Sequence, residues 1–268
     1  MPPVTISPSL TATFFLVRSP VAPLHAEPRA SSPQVSQALA GWPLFRREER
    51  GDWLRVMGED TYEGWVHRGF LTRPEPGDGY AGFARPPLVS LGCAVRGRDG
   101  VRRRLPLGAL FDPDEAVEEG RAVPLEEEEM RRVFPRSPEA VTRTALEFFA
   151  GTSYQWGGVT PWGADCSGLV QTVFRLHGVP LPRDAWQQAE RGAEVGGDLG
   201  ALRPADLLFF SEREDGKITH VAIALGPSRI VHLALGRGGY AVDRLDDRED
   251  PYVAKLVERF RFAKRVMK

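Results

Sequence analysis

Asp165-Cys166-Ser167-Gly168-Leu169-Val170-Gln171-Thr172-Val173-Phe174-Arg175-Leu176-His177-Gly178 is the stretch on which the fold turns. Counted from Cys166, the residues Leu169, Val170, Val173, Phe174 and His177 fall at +3, +4, +7, +8 and +11, one apolar stripe of a helix facing a core. Gly178 ends that helix as a left-handed C′ residue, and Pro180 follows. The reading therefore puts Cys166 in the first turn of a buried helix. There the unpaired backbone N–H groups and the helix dipole favour thiolate over thiol. On placement alone, a small buried apolar residue is an equal reading of Cys166.

Downstream, Thr219-His220-Val221-Ala222-Ile223-Ala224-Leu225 and Arg229-Ile230-Val231-His232-Leu233-Ala234-Leu235 both alternate, with Gly226-Pro227-Ser228 between them. Read as a hairpin with a three-residue loop, the register pairs Leu225 with Arg229, Ala222 with His232 and His220 with Ala234. His220 and His232 then share a face on a diagonal of roughly 7–8 Å. Their neighbours on it, Ala222 and Ala234, are small enough to leave room for two imidazoles and the N-terminus of a packed helix. A nucleophile, a base and a group to orient the base are thus assembled. One Cys and two His can also hold zinc, but no fourth ligand is visible and no metal or cofactor is expected.

Upstream, Ser137-Pro138-Glu139 opens another helix, with Ser as N-cap and Pro at the first helical position. Val141, Thr144, Ala145 and Phe148 line its buried face, and it should end near Gly151. The region before it is rich in strands and turns. Residues 1–13 read as an arm. Residues 14–76 read as a small β-barrel whose core is filled by Trp42, Trp53 and Trp65. Pro74-Glu75-Pro76-Gly77-Asp78-Gly79 is a break, and residues 80–135 read as a second, weaker β module and linker. Glu126 to Glu129 reads as a solvated face or linker, and Cys93 as a plain buried thiol.

The 268 residues are 42% hydrophobic and 26% charged, ordinary for a soluble globular chain. Lys+Arg 35 against Asp+Glu 36 excludes a protein that holds nucleic acid by neutralising phosphates. No apolar run reaches the length of a membrane span, so no membrane partner is expected. Phe14-Phe15-Leu16-Val17 is too short for a signal-peptide core and has no preceding Lys or Arg. A cytoplasmic monomer is the expectation, with a secreted or periplasmic protein as the alternative if the N-terminus was trimmed. Two cysteines make no disulfide framework.

A resemblance sharpens this. Tyr154-Gln155-Trp156-Gly157-Gly158, Asp165 to Leu169, Pro204-Ala205-Asp206-Leu207-Leu208-Phe209-Phe210, Ile218 to Ile223 and Ile230-Val231-His232 resemble, in order, the motifs of the NlpC-type cell-wall cysteine peptidases. These are papain-like enzymes with a Cys–His–His triad, and the likeness covers 137–268. The implied fold class is α+β: a papain-like domain, helices on an antiparallel sheet, behind one or two SH3-like barrels. That order is similar to the γ-D-glutamyl-diamino-acid endopeptidases that cut murein peptides.

The resemblance implies a catalytic set of Cys166, His220 and His232. It implies that Tyr154 positions the attacked carbonyl or the thiol, and that Asp165 and Ser167 line the pocket. Arg183-Asp184 matches a stretch whose aspartate receives the free α-amine of the substrate, with Ala185 where a serine is usual. Tyr62, before Glu63-Gly64-Trp65, matches a tyrosine that closes the far end of the groove, and Glu27 an acid near it. Ala205 stands where glycine is common. The implied activity is hydrolysis of the γ-D-Glu–diamino acid bond of L-Ala-γ-D-Glu-diamino acid peptides during recycling. The alternatives are a secreted hydrolase of intact wall anchored by its SH3-like modules, and a non-catalytic wall-binding protein.

Overall fold

The computed structural model describes residues 14–74, 83 and 85–267. The proposed arm, and most of the break after Pro74, lie outside the described residues. The chain divides into two compact units between Val133 and Phe134.

The first unit opens with seven short strands, β1 (Phe14–Val17), β2 (Val21–His25), β3 (Gln34–Leu39), β4 (Pro43–Arg50), β5 (Trp53–Met57), β6 (Glu63–His67) and β7 (Leu71–Thr72). They form one sheet in the order β3-β2-β6-β5-β4-β1-β7. Its core differs from the aromatic one expected. Val17, Ala22, Leu24, Ala38, Leu44, Leu54, Val56, Val66 and Leu71 fill it, and Trp42 only packs against it. Trp42 turns its indole N–H outward to the Gly108 carbonyl at 3.0 Å. Trp53 lies edge-on between His25 and His67, each with ring centroids 5.5 Å away. Trp42 and Trp53 are thus half-buried at its edges, whereas Trp65 is buried as expected.

Four further strands follow: β8 (Leu88–Arg96), β9 (Arg102–Leu105), β10 (Leu110–Phe111) and β11 (Ala116–Pro124). All the others pair with β8, so among the described residues they make a sheet around one long strand rather than a closed ring. The acidic run, read as a solvated face or linker, forms the solvated first turn of a helix, α1 (Glu127–Val133), none of it buried. Acids at that end complement the helix dipole, which hydrophobic patterning does not register.

The second unit begins with α2 (Pro138–Phe148), capped by Ser137, whose Oγ accepts from the Ala140 N–H at 3.3 Å. Its inward aromatic is Phe149, fully buried, not the half-buried Phe148. The helix stops one residue early, and the cap residue turns into the core. A two-stranded ribbon, β12 (Val159–Thr160) and β13 (Gly163–Ala164), leads into α3 (Cys166–Leu176). After the short α4 (Ala185–Gln188) come β14 (Ala193–Glu194), β15 (Leu207–Phe210), β16 (His220–Gly226), β17 (Arg229–Ala234), β18 (Gly239–Arg244), α5 (Pro251–Glu258) and β19 (Phe260–Arg265). The six strands form an antiparallel sheet in the order β14-β19-β15-β16-β17-β18. β15 is buried at every position, as a strand with both faces covered must be. The fold is α+β, helices packed on an antiparallel sheet. Among the described residues no helix is long and apolar enough to cross a membrane.

The β16–β17 register agrees with the sequence expectation at Ile223–Val231 and Ala224–Ile230, and slips at the turn. Gly226 pairs with Arg229, leaving Leu225 bulged and a tighter connection through Pro227 and Ser228. Gly226 at φ 137° and Ser228 at φ 51° accommodate it. The bulge is local, so the histidines keep their shared face.

Candidate active site

Cys166 is the first residue of α3, and Asp165 is its N-cap. Asp165 is wholly engaged behind the sulfur. It accepts from the Gly157 and Gly168 N–H groups, both at 2.8 Å, and from Ser167 Oγ at 3.2 Å. Arg183, only 1% exposed, closes on it with two bonds, Nη1 to Oδ1 at 3.0 Å and Nη2 to Oδ2 at 2.7 Å. Arg183 Nη1 also reaches Ser167 Oγ at 2.9 Å. The Gln188 amide donates to the Ser167 carbonyl at 3.0 Å. Gly168 is required here, because a Cβ would run into the carbonyl oxygen of Gly158. The start of α3 is thereby locked against the 157–158 loop and cannot drift.

Asp165 and Ser167, expected to line the pocket, sit in one cluster with Arg183 of the expected substrate stretch. All three are buried, and their polar atoms are turned on one another. A buried carboxylate demands such a partner set, and one satisfied by Arg183 has little left for a substrate. Asp184 is half-buried at the N-cap of α4, beside the exposed Trp186, whose ring lies 5.0 Å from Lys217 Nζ. Tyr154 is half-buried, hydrogen-bonded through its backbone N–H to the Gly238 carbonyl at 3.0 Å. Burial pushes its phenol pKa up, and the neighbouring Cys166 and Asp165 push it further, so it remains a donor. Tyr62 and Glu27 lie in the first unit. There Tyr62 is half-buried, and Glu27 is exposed and paired with Arg29 at 2.9 Å.

Cys166, at the start of α3, lies near Val221, the residue that follows His220 in β16. The two histidines meet: His220 Nε2 and His232 Nδ1 are 2.8 Å apart. His232 is fully buried, and its Nε2 is 2.9 Å from Asp243 Oδ2 on β18. Asp243 in turn takes Arg237 Nη2 at 2.9 Å on its other oxygen. Arg237 also pairs with Asp250, the N-cap of α5, and its guanidinium lies 4.4 Å from the centre of the Tyr252 ring. Tyr252 faces His232 with ring centroids 6.1 Å apart. Among the described residues no group of three or more His, Cys, Asp or Glu is arranged to hold a metal ion.

The electrostatics depart from the dipole argument. Burial pushes the Cys166 thiol up to about 12, with the Asp165 charge adding to it. The N–H groups of Val221 and Ser167 and the Arg183 charge pull the other way without winning. Burial, then His232 and Arg259, hold His220 well below its ordinary range. A helix N-terminus supplies a partial charge, whereas desolvation acts on a whole one. Both shifts favour the neutral forms at rest, thiol and imidazole.

On the Ala222 side of the sheet, Ala222, Ala224 and Ile230 cluster with Leu245 and with Leu256 of α5, and Tyr252 packs against them.

Residues 151–257 match the NlpC/P60 family and residues 20–72 the bacterial SH3 domain. A gamma-D-glutamyl-L-lysine dipeptidyl-peptidase of Bacillus subtilis is 35% identical over 223 residues, 74% of this chain and 71% of that protein. The chain belongs to the NlpC/P60 family. Dipeptidyl-peptidase 6 of Lysinibacillus sphaericus is 28% identical over 263 residues, 88% of this chain and 93% of that protein. The crystal structure of an NlpC/P60 family protein from Bacillus cereus superposes with a TM-score of 0.76 over 96% of this chain and 100% of its own, at 18% identity, a likeness of fold.

In this NlpC/P60 chain, Asp243, Arg237, Asp250 and Tyr252 are the site residues that sequence reasoning passes over. Asp243 stands in Tyr240-Ala241-Val242-Asp243-Arg244, a weakly alternating strand with nothing to mark one acid among many. The one available signal is parity. Ile230 pairs with Asp243 and His232 with Ala241, so Asp243 shares the His232 face once β18 is known to be next to β17.

Proposed function

We propose that this NlpC/P60 chain is a cysteine endopeptidase that hydrolyses the γ-D-Glu–diamino acid bond of murein peptides bearing a free N-terminal L-Ala. The observation that carries the reading is the hydrogen-bonded His220–His232 pair on β16 and β17, with the helix-start Cys166 close to Val221. Relatives named gamma-D-glutamyl-L-lysine dipeptidyl-peptidase support a γ-D-glutamyl substrate, and Asp184 is the candidate for its amine.

Cys166 Sγ attacks the γ-carbonyl carbon as its proton passes to His220 Nδ1, the ring nitrogen not engaged with His232. The carbonyl oxygen gathers negative charge near the N–H groups at the start of α3 and the Tyr154 hydroxyl. Collapse breaks the C–N bond, and His220 returns the proton to the departing amine of the diamino acid. A water molecule then gives a proton to His220 and attacks the thioester, releasing L-Ala-γ-D-Glu and restoring the thiol.

Mass spectrometry of products from free L-Ala-γ-D-Glu-diamino acid and from the same tripeptide joined to its disaccharide tests this. Cleavage of the free peptide between Glu and the diamino acid is expected, with the linked one resistant. Equal or better cleavage of the linked peptide would favour a hydrolase of intact wall, and cleavage at another bond would refute the assigned specificity.

A further inference from the structure

Behind the histidine pair lies a charged relay with no part in the Cys–His–His set. Asp243 is buried in β18 with one oxygen on His232 Nε2 at 2.9 Å and the other on Arg237 Nη2 at 2.9 Å. Burial alone would raise its carboxyl, yet the hydrogen bonds of His232 and Arg237 outweigh it and hold the group ionised. An ionised carboxylate can only accept, so His232 carries its proton on Nε2 and offers Nδ1 as an acceptor. His220 must then donate from Nε2, which leaves its Nδ1 bare toward the thiol. Arg237 is fixed in turn by Asp250, whose Oδ1 also accepts from the Tyr252 N–H of α5 at 2.8 Å.

We propose that Asp243, clamped by Arg237 and Asp250, is a positioning residue of the reaction: acting through His232, it sets which nitrogen of His220 is free to take the Cys166 proton. The inference rests on the cysteine-peptidase reading. Every link from Asp250 through Arg237, Asp243 and His232 to His220 is a hydrogen bond between buried or half-buried groups in one unit. Without the carboxylate, His232 can reverse, proton on Nδ1. His220 would then accept at Nε2 and carry its own proton on Nδ1, where it blocks the base. The groups facing the pair are Cys166 from α3, Asp243 from β18, Arg237 from the turn before β18, Tyr252 from α5 and Arg259 after it.

The test combines two measurements. In the unmodified enzyme, nitrogen NMR of labelled histidine should find both His220 and His232 protonated on Nε2. Protonation of His220 on Nδ1 would overturn the inference without any variant. In Asp243→Asn, which keeps the shape of the side chain, kcat should fall by about 10- to 1000-fold while KM stays within about threefold, and the His232 proton should move to Nδ1. A merely structural role would lower Tm and leave kcat and the tautomers of the folded fraction alone; that result would overturn it. Cys166→Ala separates the two readings. If it keeps turnover, the peptidase reading falls and this inference with it. If it is inactive while Asp243→Asn retains full kcat, only the role of Asp243 falls.

Discussion

In the first unit, Arg96 and Arg102 reach Glu118 at 2.5 and 3.2 Å across exposed strand faces, while in the second, Arg183 and Asp165 are paired at 2.7 Å with both side chains buried. The residue types are the same and the physics is not. On the surface, water competes for each charge, so the pair stabilises little and either member can be lost. Inside, the pair need not stabilise relative to an apolar core, but removing one partner strands the other in a dry place. The second unit repeats the device: Arg265 holds the buried Asp206 with bonds of 2.8 and 2.7 Å, and Arg237 holds Asp243. The exposed pairs leave their charges to water, whereas these buried ones hold the start of α3, the turn before β15 and the His232 ring.

The comparison can be broken at several depths. Cys166→Ala and His220→Ala remove reacting groups without stranding a charge. Turnover in a peptide-release assay should fall to background in both, with Tm of Cys166→Ala near that of the parent. Retention of more than a few per cent of activity by Cys166→Ala would end the cysteine-peptidase proposal. Arg183→Met leaves Asp165 buried and unpaired, and should cost about 3–5 kcal/mol in chemical denaturation. If it costs no more than a surface pair, the contrast between the units is wrong.

Asp184→Asn should lower kcat/KM on a free L-Ala tripeptide by about 10- to 150-fold, the worth of one charged hydrogen bond of about 1.5–3 kcal/mol. It should do far less on the N-acetylated peptide. An equal loss on both would take the substrate amine away from Asp184.

Alkylation sharpens the electrostatic side. With the thiol pushed up to about 12, the thiolate fraction below that pH rises tenfold per unit. Iodoacetamide should therefore label Cys166 slowly near pH 6 and about 100-fold faster at pH 9 than at pH 7. A rate already at its plateau by pH 6 would show that a thiolate–imidazolium pair forms at rest.

The smallest effects are at a turn and on the surface. Ala205 sits at φ 65° in the buried turn before β15, a left-handed conformation that costs a residue with a Cβ about 1 kcal/mol. Ala205→Gly should raise stability by somewhat less than that, since glycine also gains freedom when unfolded, with kcat unchanged. Arg102→Gln, on the exposed ladder of the first unit, should leave Tm unresolved from the parent.

Much of the site is legible in the order of the residues alone. The stripe from Cys166 to His177 and the Ser137-Pro138 start are local, because caps and periodicity are written in neighbouring residues. The Ile223–Val231 register is legible too, since a hairpin brings nearby residues together. What proximity in the chain does not encode stays hidden. Ser167 and Arg183 read as substrate contacts because they flank or resemble functional positions, yet they are spent on Asp165. Trp42 and Trp53 read as barrel core because they are large and apolar, yet of the three tryptophans only Trp65 is buried.

The sequence by itself determined the helix that carries Cys166, the strand pair that carries His220 and His232, and the family to which they belong. These depend on backbone periods and short-range pairing. Only the tertiary structure decided that Asp243 backs His232, that Arg183 neutralises Asp165, and that burial overrides the helix dipole at the thiol. Each of those depends on which elements become neighbours and on how much water is left between them. A strand of mixed residues becomes part of the site only when β18 is laid beside β17, and a thiol is pushed up only when the sheet and helices close over it.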